Sequence, residues 1–351
     1  MPTVNAEKLE QLATAIFERT GATPADARVV ASHLVESNLA GHDSHGVLRI
    51  PQYIDLIDSG AINPSGQPRI VRETPAIAVI DGCGGFGQVV AREAMLLAIK
   101  KARALGIGAA AVRACSHTGR IGTYTCMAAL EGLVGIAVVN SGGGGQNVAP
   151  FGGTEKRLST NPISIAAPGP GGQPIMFDAA SSVAPEGKVR NLHTAGKKTP
   201  DGWMIDHQGR PTNDTSDFYN DPGGALLPMG YTVGHKGYAL AVMIDILAGA
   251  LSGGGCCQPV PPPPADGMLA IALDIRQFIE PADFDTQVST LLEHVKSSKL
   301  AQGVAAIRTP GEPEAINRAR LVREGIHVEP AVWQQIEAIS RRLKLDPAAV
   351  A

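Results

Sequence analysis

The stretch Ala76-Ile77-Ala78-Val79-Ile80-Asp81-Gly82-Cys83-Gly84-Gly85-Phe86-Gly87-Gln88 decides how the chain folds. Its first five residues are apolar and suit a strand, residues 88–105 carry a helical pattern stopped by Gly106, and a literal G-x-G-x-x-G lies between them. In a dinucleotide-binding βαβ unit those glycines would let the backbone approach a pyrophosphate, and an acid about 20 positions on would hold a ribose hydroxyl. Here the next strand ends Ala111-Val112-Arg113-Ala114, so the acid is missing and only Arg113, suited to a 2′-phosphate, stands nearby. The triplet therefore reads as a glycine-rich turn joining a strand to a helix.

Working outward, strand-like runs at 107–112, 133–140, 163–167, 174–178 and 268–274 give an α/β centre. Residues 235–251 are apolar nearly all round and predict a buried helix, and 253–266, with four consecutive prolines, a surface loop. Both ends are helical in pattern. Leu9, Leu12, Ala13, Ile16 and Phe17 follow a possible Asn5 cap, and Thr23, Pro24 and Asp26 open a helix that runs to Gly41. A short helix spans 51–59, and two more span 314–323 and 330–343. The expectation is an α/β domain of residues 76–309, flanked by a discontinuous helical domain built from residues 1–75 and 310–351.

At 351 residues, the chain can bury a sizeable core. Thirty basic against 33 acidic residues leave a net charge of −3, which invites neither nucleic acid nor an anionic membrane. Cys83, Cys115, Cys126, Cys256 and Cys257 form an odd set without C-x-x-C, as expected of reduced thiols in a cytoplasmic protein. No basic leader with an apolar run, and no stretch of about 18 apolar residues, suggests export or membrane insertion.

The chemistry concentrates at 41–53, G-H-D-S-H-G-V-L-R-I-P-Q-Y. Arg49 stands just before the expected helix start, where free N–H groups and the helix dipole favour an anion. His45 titrates in the range useful for giving a proton to a carbonyl oxygen, and Ser44 can orient it. A metal shared by His42 and His45 needs a third ligand, for which His117, His207 and His235 are the possible remote histidines, yet no H-E-x-x-H is present. His42 reads as a solvated or capping side chain. Further along, Ser116-His117-Thr118-Gly119-Arg120-Ile121-Gly122 follows a strand, as does Asn140-Ser141-Gly142-Gly143-Gly144-Gly145, and strand ends are where ligands collect in α/β sheets. Lys236 opens a helix where a phosphate could sit, and Arg308 to Pro313 forms a rigid, helix-starting turn.

In order, H-D-S-H-G-V-L-R-I-P-Q-Y at 42–53, S-H-T-G-R-I-G at 116–122, A-P-F-G-G at 149–153, T-N-P at 160–162, F-D-A-A at 177–180, E-G-K-V at 186–189, H-K-G-Y at 235–238 and P-G-E-P at 310–313 resemble the type 2 malate/L-lactate dehydrogenase family. The resemblance implies an oxidoreductase using NAD or NADP, without a metal, on small 2-hydroxy or 2-oxo carboxylates of the malate, lactate or sulfolactate type, or on a cyclic imine. It implies a non-Rossmann α/β fold: a mixed-sheet cofactor domain, a helical domain from both termini, and a homodimer whose partner helps close the site. By matched position His45 is the acid/base with Ser44 orienting it, and His117 is either the rival acid/base or a neighbour of the nicotinamide. Arg49 is the carboxylate clamp, with Tyr53 and Thr160 on the substrate side. Ser141, Asp178, Ala179, Ala180, His235, Lys236, Gly311 and Glu312 form the cofactor shell, and Glu186 is a carboxylate coupled to Ser44 and His45. The run C-C-Q-P-V-P-P-P-P-A at 256–265 departs from the longer, more polar loop of relatives. Two other classes stay open: a metal-dependent hydrolase using His42 and His45, and a catalytically silent ligand-binding relative.

Overall fold

The computed structural model describes residues 2–142, 145–259 and 265–346. After β1 (Thr3–Val4), Asn5 caps α1 (Ala6–Arg19) by accepting the Glu7 and Lys8 N–H groups, and Thr23 caps α2 (Pro24–Leu39) through the Asp26 N–H. Then come α3 (Arg49–Asp58), β2 (Arg69–Glu73), β3 (Ile77–Asp81), α4 (Gly87–Leu105), β4 (Ile107–Cys115), α5 (Gly122–Leu130), β5 (Leu133–Ser141), β6 (Ile163–Ala167), β7 (Ile175–Ala179) and α6 (Glu186–Thr194). A small excursion holds β8 (Met204–Ile205), β9 (Pro211–Thr212), α7 (Thr215–Tyr219) and β10 (Ala225–Leu226). The chain continues through α8 (His235–Ile244), β11 (Asp266–Asp274), α9 (Pro281–Lys296), α10 (Glu312–Glu324), β12 (Ile326–His327) and α11 (Pro330–Arg342).

The main sheet has seven strands in the order β2-β3-β4-β11-β5-β6-β7. Only β3 and β4 run parallel; β11 lies between β4 and β5, antiparallel to both. The βαβ unit that carries the glycine triplet is thus a single parallel step in a mixed sheet, not the start of a doubly wound one. Its turn has little to offer a phosphate, because the N–H groups of Gly82, Gly84 and Gly85 donate to Arg113, Ala114 and Gly82 carbonyls, that of Cys83 to Asp81 Oδ1, and that of Gly87 to Ser116 Oγ. The glycines instead permit close packing. A Cβ on Gly87 would stand 2.1 Å from the Ser116 carbonyl oxygen, and one on Gly82 2.7 Å from Cys115 Cβ.

The two ends of the chain meet. β1 pairs with β12, and one apolar cluster joins Leu9, Ile16, Phe17, Leu34, Ile50 and Tyr53 to Leu321, Ile326, Trp333 and Ile336. Phe86 and Val89, at the start of α4, enter the same cluster and join this helical unit to the sheet.

Three local expectations change. α3 begins at Arg49, two residues earlier than expected, because Pro51 falls in the first turn, where a missing N–H costs no helical bond. The helix of 235–251 is not buried all round: α8 runs into a π-helical turn at Asp245–Ala250, and Met243, Ile246 and Leu251 remain 52%, 44% and 60% exposed in the single chain. Several elements went unrecognised, among them α5 and α6, the edge strand β2, which is exposed throughout, and α9, which buries no residue completely. The prolines at 261–264 and the glycines at 143 and 144 lie outside the described residues. Among the described residues no helix is long and apolar enough to cross a membrane.

Candidate active site

The turn between α2 and α3 is folded around a buried amide. Asn38 Oδ1 accepts the Val47 N–H at 2.8 Å and its Nδ2 donates to Asp43 Oδ1 at 2.6 Å, an approach open only because residue 46 is glycine. Asp43–His45 forms one 3-10 turn, which places Ser44 Oγ 3.1 Å from His45 Nδ1. One helical turn later Arg49 donates from Nε to the Ser44 carbonyl at 2.7 Å and from Nη1 to Gln52 Oε1 at 2.6 Å. No carboxylate pairs with it among the described residues, and burial disfavours its charge. A cation held by neutral acceptors, with Nη2 left over, is a receptor for a carboxylate.

Against this turn stands the loop after β4. Its His117 stacks on His45 with ring centroids 5.4 Å apart and planes at 16°. Tyr53 OH lies 2.7 Å from His117 Nδ1 and accepts from Gln88 Nε2 at 2.7 Å. Burial, then the positive field of Arg49, hold His45 down to about 3 and His117 well below the usual histidine range, so both rings are neutral at pH 7. Burial likewise pushes the Tyr53 phenol up.

The loop itself is tightly held. Asp266, first residue of the central β11, accepts the Thr118 N–H at 2.9 Å and its hydroxyl at 3.0 Å; burial raises this carboxyl to about 6. Tyr124 donates to the Thr118 carbonyl at 2.5 Å, and His33 Nε2, on a ring that burial depresses to about 3, accepts the Arg120 N–H at 2.9 Å.

A cleft of about 500 Å³ opens beside Ser44 and His45 and runs past Arg120 and Thr160 to Asp178, Ala179 and Ala180, with Lys188 on its rim. Asp178 accepts the Gly122 N–H at 2.8 Å, and Arg120 Nε, 3.8 Å from the same carboxylate, is buried without a hydrogen bond. Between the lining residues Thr160 and Pro162, Asn161 leaves its Oδ1 similarly unpartnered.

Of the residues singled out from sequence, Ser44, His45, Thr160, Asp178, Ala179 and Ala180 share the cleft wall. Arg49, Tyr53 and His117 are joined to Ser44 and His45 by the contacts above, and Ser141 lies opposite Asp266 in the ladder. Four further residues of the expected cofactor shell lie elsewhere. His235 and Lys236 are exposed at the start of α8, with His235 edge-on to Phe151. Gly311 (φ +87°) packs on the backbone of Pro174 and Met176, and the Glu312 carboxylate is gripped by Lys296 and Arg308 at 2.8 and 2.6 Å. Glu186 bonds Arg190 at 2.8 Å and Tyr219 OH at 2.9 Å, with no hydrogen bond to Ser44 or His45. His42 reaches Glu314 of α10 at 3.2 Å, which ties the turn to the C-terminal helices, and Arg113 pairs with Asp81 at 3.3 Å. Among the described residues no three His, Cys, Asp or Glu side chains gather as a metal site. Sequence reasoning passed over His33, Asn38, Gln88 and Asp266. The available signal was polar residues at core positions, such as His33 and Asn38 beside Val30, Ala31 and Leu34 in α2.

A profile of the malate/L-lactate dehydrogenase family matches residues 4–337. A malate dehydrogenase of Pyrococcus horikoshii is 38% identical, with 98% of this chain and 96% of that protein aligned. The solved sulfolactate dehydrogenase of Methanocaldococcus jannaschii superposes with a TM-score of 0.89 at 34% identity, covering 99% of both chains. A Δ1-piperideine-2-carboxylate reductase from Pseudomonas syringae superposes with a TM-score of 0.83 at 31% identity, over 97% of this chain and 100% of the other. With the profile match running nearly end to end and relatives this similar over almost their full length, the chain belongs to the malate/L-lactate dehydrogenase family.

Proposed function

We propose that the protein moves a hydride between a nicotinamide cofactor, NAD or NADP, and C2 of a small 2-hydroxy or 2-oxo carboxylate. The observation that carries this reading is Arg49, a cation with no carboxylate partner among the described residues, placed beside two stacked imidazoles, of which His45 lines a cleft large enough for part of a dinucleotide. The cleft suits such a group: Arg120 Nε and Asn161 Oδ1 are buried polar atoms without hydrogen-bond partners among the described residues, and Asp178, Ala179 and Ala180 line its far side. A bound nicotinamide would supply the hydride in reduction and take it in oxidation.

The chain's own residues supply position and charge. Arg49 takes the substrate carboxylate through the end of its guanidinium that no protein group uses, which fixes C2 relative to the histidines. Ser44 holds His45 and Tyr53 holds His117, each through Nδ1, so the Nε2 atoms are the ones available to the substrate oxygen. Proton transfer to that oxygen by one imidazole completes the reduction. The test is loss of nicotinamide fluorescence with a panel of 2-oxo acids, using both NADH and NADPH. Turnover of at least one acid supports the reading, and cofactor binding without any turnover overturns it.

The likeness to the P. syringae reductase favours one second reading, a cyclic imine as acceptor, with Arg49 again on the carboxylate. Pyruvate against a cyclic 2-carboxy imine in the same assay separates the two. The apolar stripe of Met243, Ile246 and Leu251 supports a homodimer, which light scattering would report, and the unpaired cysteines suit the cytoplasm.

A further inference from the structure

We infer that His45 and His117 are not an acid and its bystander but one proton-carrying pair, loaded when the substrate carboxylate docks on Arg49; the inference rests on the dehydrogenase reading. The two rings are held alike at Nδ1. Each Nδ1 faces a hydroxyl, Ser44 Oγ at 3.1 Å or Tyr53 OH at 2.7 Å, and neither Nε2 has a protein hydrogen-bond partner among the described residues. A hydroxyl can donate to a neutral ring and accept from a charged one, so it tolerates a change of protonation that a carboxylate or carbonyl partner would bias. Both rings are half-buried, which leaves some of their surface uncovered.

Stacked with centroids 5.4 Å apart, the rings cannot both be cationic at moderate cost, so a proton on one excludes a proton on the other. The charges facing them are positive. Arg49 and Arg120 bear on His45, and Arg49 on His117, while among the described residues no carboxylate hydrogen-bonds to either ring. Burial, and then this positive field, keep the pair neutral in the free protein. A substrate carboxylate on Arg49 cancels the nearest cation, and the pair then takes one proton from solvent. In reduction, a bound reduced nicotinamide would supply the hydride that forms the C2–H bond as the C=O π bond breaks, and the oxygen takes the proton from Nε2. The products are the alcohol, the oxidised cofactor and a neutral pair; oxidation reverses each step.

Imidazole NMR of the unliganded protein tests the pairing without relying on activity. His117 should titrate about one unit or more higher in His45→Gln than in wild type, because the like-charge neighbour is gone. Mixing wild type and NADH with oxamate in weak buffer should take up about one proton per site, and Arg49→Leu should abolish the uptake. Turnover of the His45→Gln/His117→Gln double variant should match that of the worse single variant within about threefold. An unmoved His117 titration, no proton uptake by wild type, or losses that multiply would each overturn the pair. If wild type turns over no 2-oxo acid or imine while the NMR coupling is present, the dehydrogenase reading fails and the pairing of the rings stands.

Discussion

Two turns of this chain look opposite in sequence and in structure. The Gly82–Gly87 turn has the spacing of a dinucleotide site, yet Gly82, Cys83, Gly84, Gly85 and Gly87 all give their N–H groups to the protein itself. The turn from His42 to Arg49 looks like an ordinary polar connection, yet among the described residues the Arg49 Nη2 and the His45 Nε2 have no hydrogen-bond partner, beside a cleft that His45 lines. The lesson is that motif spacing shows which groups the chain places in a turn, and hydrogen-bond accounting shows which of them remain free for a ligand.

The largest expected effect attacks the first turn. Gly87→Ala would drive a methyl group into the Ser116 and His117 carbonyls, at 2.1 and 2.5 Å, in a place where only backbone can yield. It should cost about 3 kcal/mol, read as a lower urea midpoint, and displace His117. Retained stability with weakened cofactor binding would instead restore the triplet as a phosphate site. Next come the second turn and the ring stacked on it: His45→Ala and His117→Ala should each lower kcat by roughly 100-fold or more, and unchanged turnover in both would remove them from the chemistry. Arg49→Lys should raise KM by about tenfold while largely sparing kcat, since lysine cannot make the two-pronged contact. An unaltered KM removes Arg49 from the clamp.

Much of the fold was legible in the sequence. The β3–α4–β4 unit, the strands β5 to β7 and the caps at Asn5 and Thr23 follow from periodicity and capping chemistry. The insertion of β11 between β4 and β5 was not, because register across more than a hundred residues is a tertiary fact. In the site, the residues that present chemistry were visible as motifs. Those that hold them in place, Asn38, Gln88, His33 and Asp266, were not, since each is an isolated polar residue whose partner lies far along the chain. The domain boundaries at 75/76 and 309/310 remain our proposal. Limited proteolysis that frees residues 1–75 as a stable piece would break it, because Trp333 and Ile336 share their core.

Smaller effects sharpen the comparison further. Gly84→Ala has room for the methyl group but sits at φ +68°, so it should cost about 1 kcal/mol and leave cofactor affinity unchanged. Acid should loosen the second turn before the first. His33 and His45, held down to about 3, stay neutral in the folded protein while the unfolded chain binds protons below about 6.5. Stability is therefore full above that pH and is lost progressively as pH falls toward 3. Thermal midpoints that stay flat between pH 7 and pH 5 would show that these rings are not buried neutral.

The central claim is that the unpaired Arg49 and the two imidazoles form the substrate end of a hydride-transfer site. Its most direct test is consumption of reduced nicotinamide by wild type and Arg49→Leu, side by side, over a panel of small 2-oxo acids. The account predicts turnover by wild type of at least one acid and its collapse by roughly 100-fold in kcat/KM in the variant. Equal turnover by the two proteins, or none by wild type with cofactor bound, would contradict it.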